Sequence, residues 1–161
     1  MEQRTYDADD VILKEDDTSD SQNLTGGADV KSEPDDLRLT LLPASELLNS
    51  HLPKEGISVS KIPFSVGRLP VADESEPFAP VDLKLPDSRP FRLSRQHFAL
   101  DWRQQGYGVL DLRSTLGTEL NGEFLGHHFG KDFEYLKLGE NTITAGGDGS
   151  PFTFTVLLEQ L

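Results

Sequence analysis

The chain has 161 residues, 35% of them hydrophobic and 27% charged, with a formal net charge of −13 and no cysteine. This length suits one domain and a tail, and the modest apolar share leaves part of the chain outside a core. The lack of cysteine excludes disulfides, thiolate metal sites and a cysteine nucleophile, and the acidic balance argues against non-specific nucleic-acid binding, which needs a basic footprint.

The charge is unevenly spread. Residues 1–36 hold 3 basic against 12 acidic residues, a net of −9, and residues 37–161 hold 12 against 16, a net of −4. The first segment carries Asp-Asp pairs and no apolar periodicity beyond Val11-Ile12-Leu13. Such a segment cannot bury enough apolar area to offset its ordering entropy, so 1–36 is expected to be an acidic disordered tail. It reads either as a solubilising tail or as a regulatory one carrying Thr5, Thr18 or Thr25. No run approaches the length of a membrane span, and MEQRTYDADD lacks the basic and apolar regions of a signal peptide. The expectation is a cytoplasmic chain.

From Leu37 the pattern becomes that of strands. Leu37 to Pro43 reads as the first, and Ala44 to His51 as a short helix or loop. Ile57 to Gly67 alternates imperfectly, and Pro63 within it suggests an edge or a bulge. Pro70 to Pro80 is acidic and proline-rich and predicts a surface loop. Val81 to Leu85 returns to alternation, and Pro86 to Pro90 forms a turn or loop. Phe98, Leu100 and Trp102 alternate with Ala99, Asp101 and Arg103, a period of two that fits a half-buried strand.

Gly106 to Leu112 is the return strand. Asn121-Gly122 is a hairpin signal, because both residues tolerate positive φ. A short strand and loop follow over Glu123 to Phe129. Gly139-Glu140-Asn141 reads as a turn inside Tyr135 to Ile143, and Gly146 to Gly149 as another. Phe152, Phe154, Val156 and Leu158 alternate on an inner face of the last strand. Many short strands with frequent turns and almost no helical periodicity predict an all-β, two-sheet sandwich over 37–161.

Two polar loops, Leu93-Ser94-Arg95-Gln96-His97 and Arg113-Ser114-Thr115-Leu116-Gly117-Thr118, flank this central hairpin. They can therefore lie side by side at one end of a sheet. Guanidinium forks, hydroxyls and free backbone N–H groups in one place suit a phosphate. Within residues 84–113, Lys84, Arg89, Arg92, Arg95, Arg103 and Arg113 face only Asp87, Asp101 and Asp111, a locally positive region on an acidic chain.

Gly67-Arg68, Ser94-Arg95-Gln96-His97, Asp111 to Thr118 and Asn121-Gly122, in this order and at these spacings, resemble the forkhead-associated (FHA) domain. The resemblance runs from about Leu37 to the C-terminus. It implies a sandwich with recognition loops at one end and a non-catalytic module that binds phosphothreonine peptides. By resemblance Arg68 reaches the phosphate, Ser94 donates its hydroxyl, Arg95 sits beside the ligand, and Thr115 contacts the phosphothreonine with Ser114 next to it.

His97 is implied to be architectural, and Gly67, Asn121 and Gly122 are assigned structural roles. The alternatives are a solvated strand-end arginine at 68 and hydroxyls that only close their own turns. Leu116 departs from the family, which has an asparagine there that grips the backbone of the bound peptide.

The partner implied is a phosphothreonine-containing protein in a Ser/Thr kinase pathway, or the chain's own phosphorylated tail. The alternative function is an FHA-like structural domain that binds partners without regard to phosphate. No cofactor is expected. Ser94 and His97 share one short turn, and no nucleophile-elbow motif occurs, so no catalytic residue is nominated. His127-His128 is read as an adjacent strand pair pointing to opposite faces, a poor metal site. Gly146-Gly147-Asp148-Gly149 lacks the lysine and helix of a nucleotide loop.

Overall fold

A computed structural model of the chain describes residues 36–161. The tail expected over 1–36, with Thr5, Thr18 and Thr25, lies outside the described residues except for Asp36.

The first strand, β1 (Leu37–Pro43), buries Leu39 and Leu41 through its period-two pattern. A single helical turn follows, α1 (Glu46–Asn49), capped by Ser45, whose hydroxyl accepts from the backbone N–H of Leu48. The segment expected as one strand over Ile57 to Gly67 is two. β2 (Ile57–Ser58) pairs with β1, whereas β3 (Phe64–Arg68) belongs to the opposite sheet. Pro63, which lacks an N–H to donate, lies in the crossing between them.

The remaining strands are β4 (Leu83–Leu85), β5 (Phe98–Arg103), β6 (Gly106–Asp111), β7 (Thr118–Leu120), β8 (Glu123–Leu125), β9 (Phe133–Tyr135), β10 (Gly139–Ala145) and β11 (Phe152–Gln160). They form a five-stranded sheet in the order β9-β6-β5-β3-β4 and a six-stranded sheet in the order β2-β1-β11-β10-β7-β8. Pairing is antiparallel except for β3 with β4.

The inner faces meet in a core of Leu39, Leu41, Ile143, Phe154 and Val156 against Val66, Phe98, Leu100 and Val109. Phe98 and Phe154 touch edge-to-face with centroids 5.5 Å apart. Burying each such side chain contributes about 1.5–3 kcal/mol. The all-β sandwich expected from strand periodicity is the fold observed.

Asn121 and Gly122 join β7 to β8 with φ of 51° and 88°, the two positive values a type I′ hairpin requires. Asn121 also accepts from the N–H of Thr142 through its amide oxygen, fixing the hairpin to β10. The turn expected at Gly139 to Asn141 lies earlier, because those residues already begin β10. The buried Asn141 amide closes that earlier turn. Its oxygen accepts from the N–H of Lys137, and its nitrogen donates to the Lys137 carbonyl.

Candidate functional site

Strand register gathers the polar loops. Phe98 of β5 pairs with Asp111 of β6, and Val66 of β3 pairs with Phe98. The turn entering β5, the turn leaving β6 and the end of β3 therefore emerge at one end of the five-stranded sheet. The 92–97 turn presses on β3 at Gly67. A Cβ there would lie 2.0 Å from the carbonyl oxygen of Arg95, so only glycine allows this approach. The contact is sealed by the N–H of Arg68 donating to Ser94 O and that of His97 donating to Val66 O.

His97 is fully buried and ties both loops. Its Nδ1 accepts from the backbone N–H of Ser94 at 3.1 Å, and its Nε2 donates to the Gly117 carbonyl at 2.8 Å. These opposed partners select the neutral Nε2–H tautomer. Burial lowers its pKa below 6.5, against the opposing pull of the Gly117 carbonyl and of Asp111. Ser94 adds a second tie: its hydroxyl oxygen accepts from the Thr115 N–H at 3.0 Å.

Ser114 faces inward. It is 1% exposed, donates its hydroxyl to Asp111 Oδ1 at 2.7 Å, and accepts from the N–H of Gly117 at 2.9 Å. Asp111 also accepts from the Ser114 N–H and the Thr118 hydroxyl. Asp111 is thus the hub of the second loop. Sequence reasoning gave it no role, although the Asp-x-x-Ser spacing is a signal for such a turn.

The loops enclose a cleft of about 840 Å³ whose lining includes Arg68, Ser94, Arg95, Arg113 and Thr115 but not Ser114. Arg68 lies 5% exposed at its base, its guanidinium carbon 3.6 Å from the centroid of the Phe91 ring. Its Nε donates to the Leu93 carbonyl. Its two terminal nitrogens fork onto Glu74 at 2.7 and 3.0 Å. Arg95 donates to the Ser75 carbonyl. Leu116, 44% exposed, directly follows Thr115 outside the cleft lining.

The 70–80 loop supplies carboxylates to two cations of the locally positive region. Besides Arg68–Glu74, Lys84 pairs with Glu76 and Arg89 with Asp73. Arg92 donates to the carbonyls of Gly146 and Asp148, and Arg103 lies over the Phe133 ring. Among the described residues, Arg92, Arg95 and Arg113 are the cleft-lining cations whose guanidinium has no carboxylate partner.

His127 and His128 lie in a turn rather than a strand. Their rings face each other with centroids 4.0 Å apart, which corrects the opposite-face reading. Among the described residues no group of three or more potential metal ligands occurs, and no helix is long and apolar enough to cross a membrane.

The FHA domain family model matches residues 64–142, the span from β3 into β10 that builds this cleft. Residues 64–142 are thus an FHA domain. Among solved structures, the yeast Pml1 splicing factor is similar at 18% identity, over 78% of this chain and 79% of that one, with a TM-score of 0.52. The N-terminal FHA domain of S. cerevisiae Rad53p, solved with a phosphothreonine peptide, is 24% identical over 78% of this chain and 93% of its own, with a TM-score of 0.43. An Arabidopsis thaliana FHA domain is 18% identical over 84% and 95%, with a TM-score of 0.48. No curated protein matches the chain by sequence.

Proposed function

We propose that this chain is a phosphothreonine-peptide recognition module mediating phosphorylation-dependent protein–protein interaction. The observation that carries this is the convergence of Arg68, Ser94, Arg95 and Thr115 on one cleft at the loop end of an FHA sandwich. Guanidinium donors supply charge-assisted hydrogen bonds to phosphate oxygens, and the hydroxyls of Ser94 and Thr115 add neutral donors. Gly67, His97, Asn121 and Gly122 hold the loops in place. Ser114, nominated from sequence beside the ligand, is assigned a positioning role through Asp111.

The partner is a protein phosphorylated by a Ser/Thr kinase in the cytoplasm. The acidic tail over 1–36 is a second candidate ligand, and 37–161 is the folded module. Recognition proceeds by binding without catalysis, a reading supported by His97, whose two ring nitrogens are engaged by the Ser94 N–H and the Gly117 carbonyl rather than by the Ser94 hydroxyl.

A second reading, binding indifferent to phosphate, is favoured by Leu116, which cannot make the hydrogen bonds of the family asparagine. The two separate in a titration with a degenerate phosphothreonine peptide library and its unphosphorylated twin. Capture of phosphorylated peptides alone supports recognition, whereas equal capture of both supports the phosphate-independent scaffold.

A further inference from the structure

The guanidinium that phosphate recognition needs already holds an anion. Glu74 meets both terminal nitrogens of Arg68, and its Oε1 also accepts from the N–H of Val71 at 3.0 Å. The N–H of Glu74 donates to the Val71 carbonyl at 2.9 Å, so a tight 71–74 turn delivers the carboxylate. Residues on either side are anchored too. Asp73 pairs with Arg89, Ser75 accepts from Arg95, and Glu76 pairs with Lys84. This short acidic stretch lies along the wall of the cleft, with Glu74, Ser75 and Glu76 among the lining residues.

Building on the phosphothreonine reading above, we propose that Glu74 is an intramolecular occupant of the phosphate position, which an incoming phosphothreonine must displace. The fork-to-fork geometry is that of an ideal Arg–carboxylate pair, and a carboxylate carries a single charge. Phosphate at neutral pH carries about −1.5 to −2 and three acceptor oxygens. It outcompetes Glu74 by drawing on Arg95, Ser94 and Thr115 as well.

An external carboxylate gains no charge over Glu74, and Glu74 acts at the high effective concentration of a tethered group. The site is therefore selective for phosphate over acidic peptides and over glutamate imitations of phosphothreonine. The hydrogen bonds from Arg68 hold the Glu74 carboxyl down to about 2, so the occupant stays ionised throughout the working range.

The test is titration of the wild type, Glu74→Gln and Glu74→Asp with a degenerate phosphothreonine peptide library and with a twin library carrying glutamate at that position. Melting curves accompany each protein. Glu74→Gln is expected to tighten phosphopeptide binding about tenfold, at the modest end for a partly exposed pair, and to admit the glutamate library. Glu74→Asp keeps the charge but falls a methylene short of the fork, and should tighten binding less.

Equal, phosphate-dependent affinity in the wild type and Glu74→Gln would overturn the occupant while leaving recognition standing. Weaker binding by Glu74→Gln would make the carboxylate a support for Arg68 and also overturn it. No phosphate-dependent binding by any of the three proteins removes the recognition reading and the occupant together.

Discussion

The hydroxyl oxygen of Ser94 accepts the backbone N–H of Thr115 at 3.0 Å, joining loops 21 residues apart in sequence. That bond sets the mouth of the cleft, and the hydroxyl itself donates to Thr115 Oγ1 at a long 3.4 Å, a bond that a phosphate oxygen would have to replace. Ser94→Ala should therefore remove both a phosphate donor and the inter-loop tie. Phosphopeptide affinity is expected to fall by about one to two decades, the equivalent of a lost charged hydrogen bond. Calorimetric titration measures it, and a Tm held within about 2 °C of wild type separates the ligand effect from unfolding.

Ser114 gives the opposite signature. Its hydroxyl bonds to the buried carboxylate of Asp111, so Ser114→Ala strips a partner from a buried charge. The expected cost is about 1–3 kcal/mol of stability. A fall in Tm of several degrees should appear in thermal denaturation, with binding weakened only through loop disorder. A Ser114→Ala protein with unchanged Tm would show that the Asp111 hub is not needed.

His97 makes the fold acid-sensitive. Its folded-state pKa lies below the ordinary 6.5 because burial disfavours the imidazolium, and a second proton would also break the bond from the Ser94 N–H. The unfolded chain then binds more protons in that window, so stability is complete above pH 6.5 and is lost as the pH falls below it. Urea denaturation between pH 8 and pH 5 should show this slope, and His97→Gln should flatten it. Glu74 acts lower: its depressed pKa, about 2, makes its contribution present above 4.5 and lost as the pH falls toward 2.

Leu116 sits where the family places an asparagine. Leu116→Asn should restore hydrogen bonds to a bound peptide backbone and tighten binding about five- to tenfold, with each neutral bond contributing about 1 kcal/mol. The side chain is half exposed, so the change should leave Tm nearly unaltered. Unchanged affinity would mean that the peptide does not run across position 116.

Much of the sandwich was legible because its signals are local. The alternation of Phe152 to Leu158 and of Phe98 to Trp102 specifies strands whatever surrounds them, and Asn121-Gly122 specifies its hairpin through φ alone. The division of 57–67 between sheets was not legible, since periodicity does not say which partner a strand finds. The direction of Ser114 depends on the buried Asp111, a question of burial rather than of motif.

Counting charges over residues 84–113 left out some counter-ions for a similar reason. The counter-ions Asp73, Glu74 and Glu76 lie in a proline-rich loop without periodicity, outside that window, and reach the cations only in three dimensions.

The most direct test of phosphate reading is a backbone-amide NMR titration of the full chain with a phosphothreonine peptide selected from the library and with its unphosphorylated twin. Shifts concentrated at Arg68, Ser94, Arg95 and Thr115 are expected with the phosphorylated peptide and none there with the twin. Equal shifts with both peptides, or shifts confined to another face of the sandwich, would contradict phosphate reading.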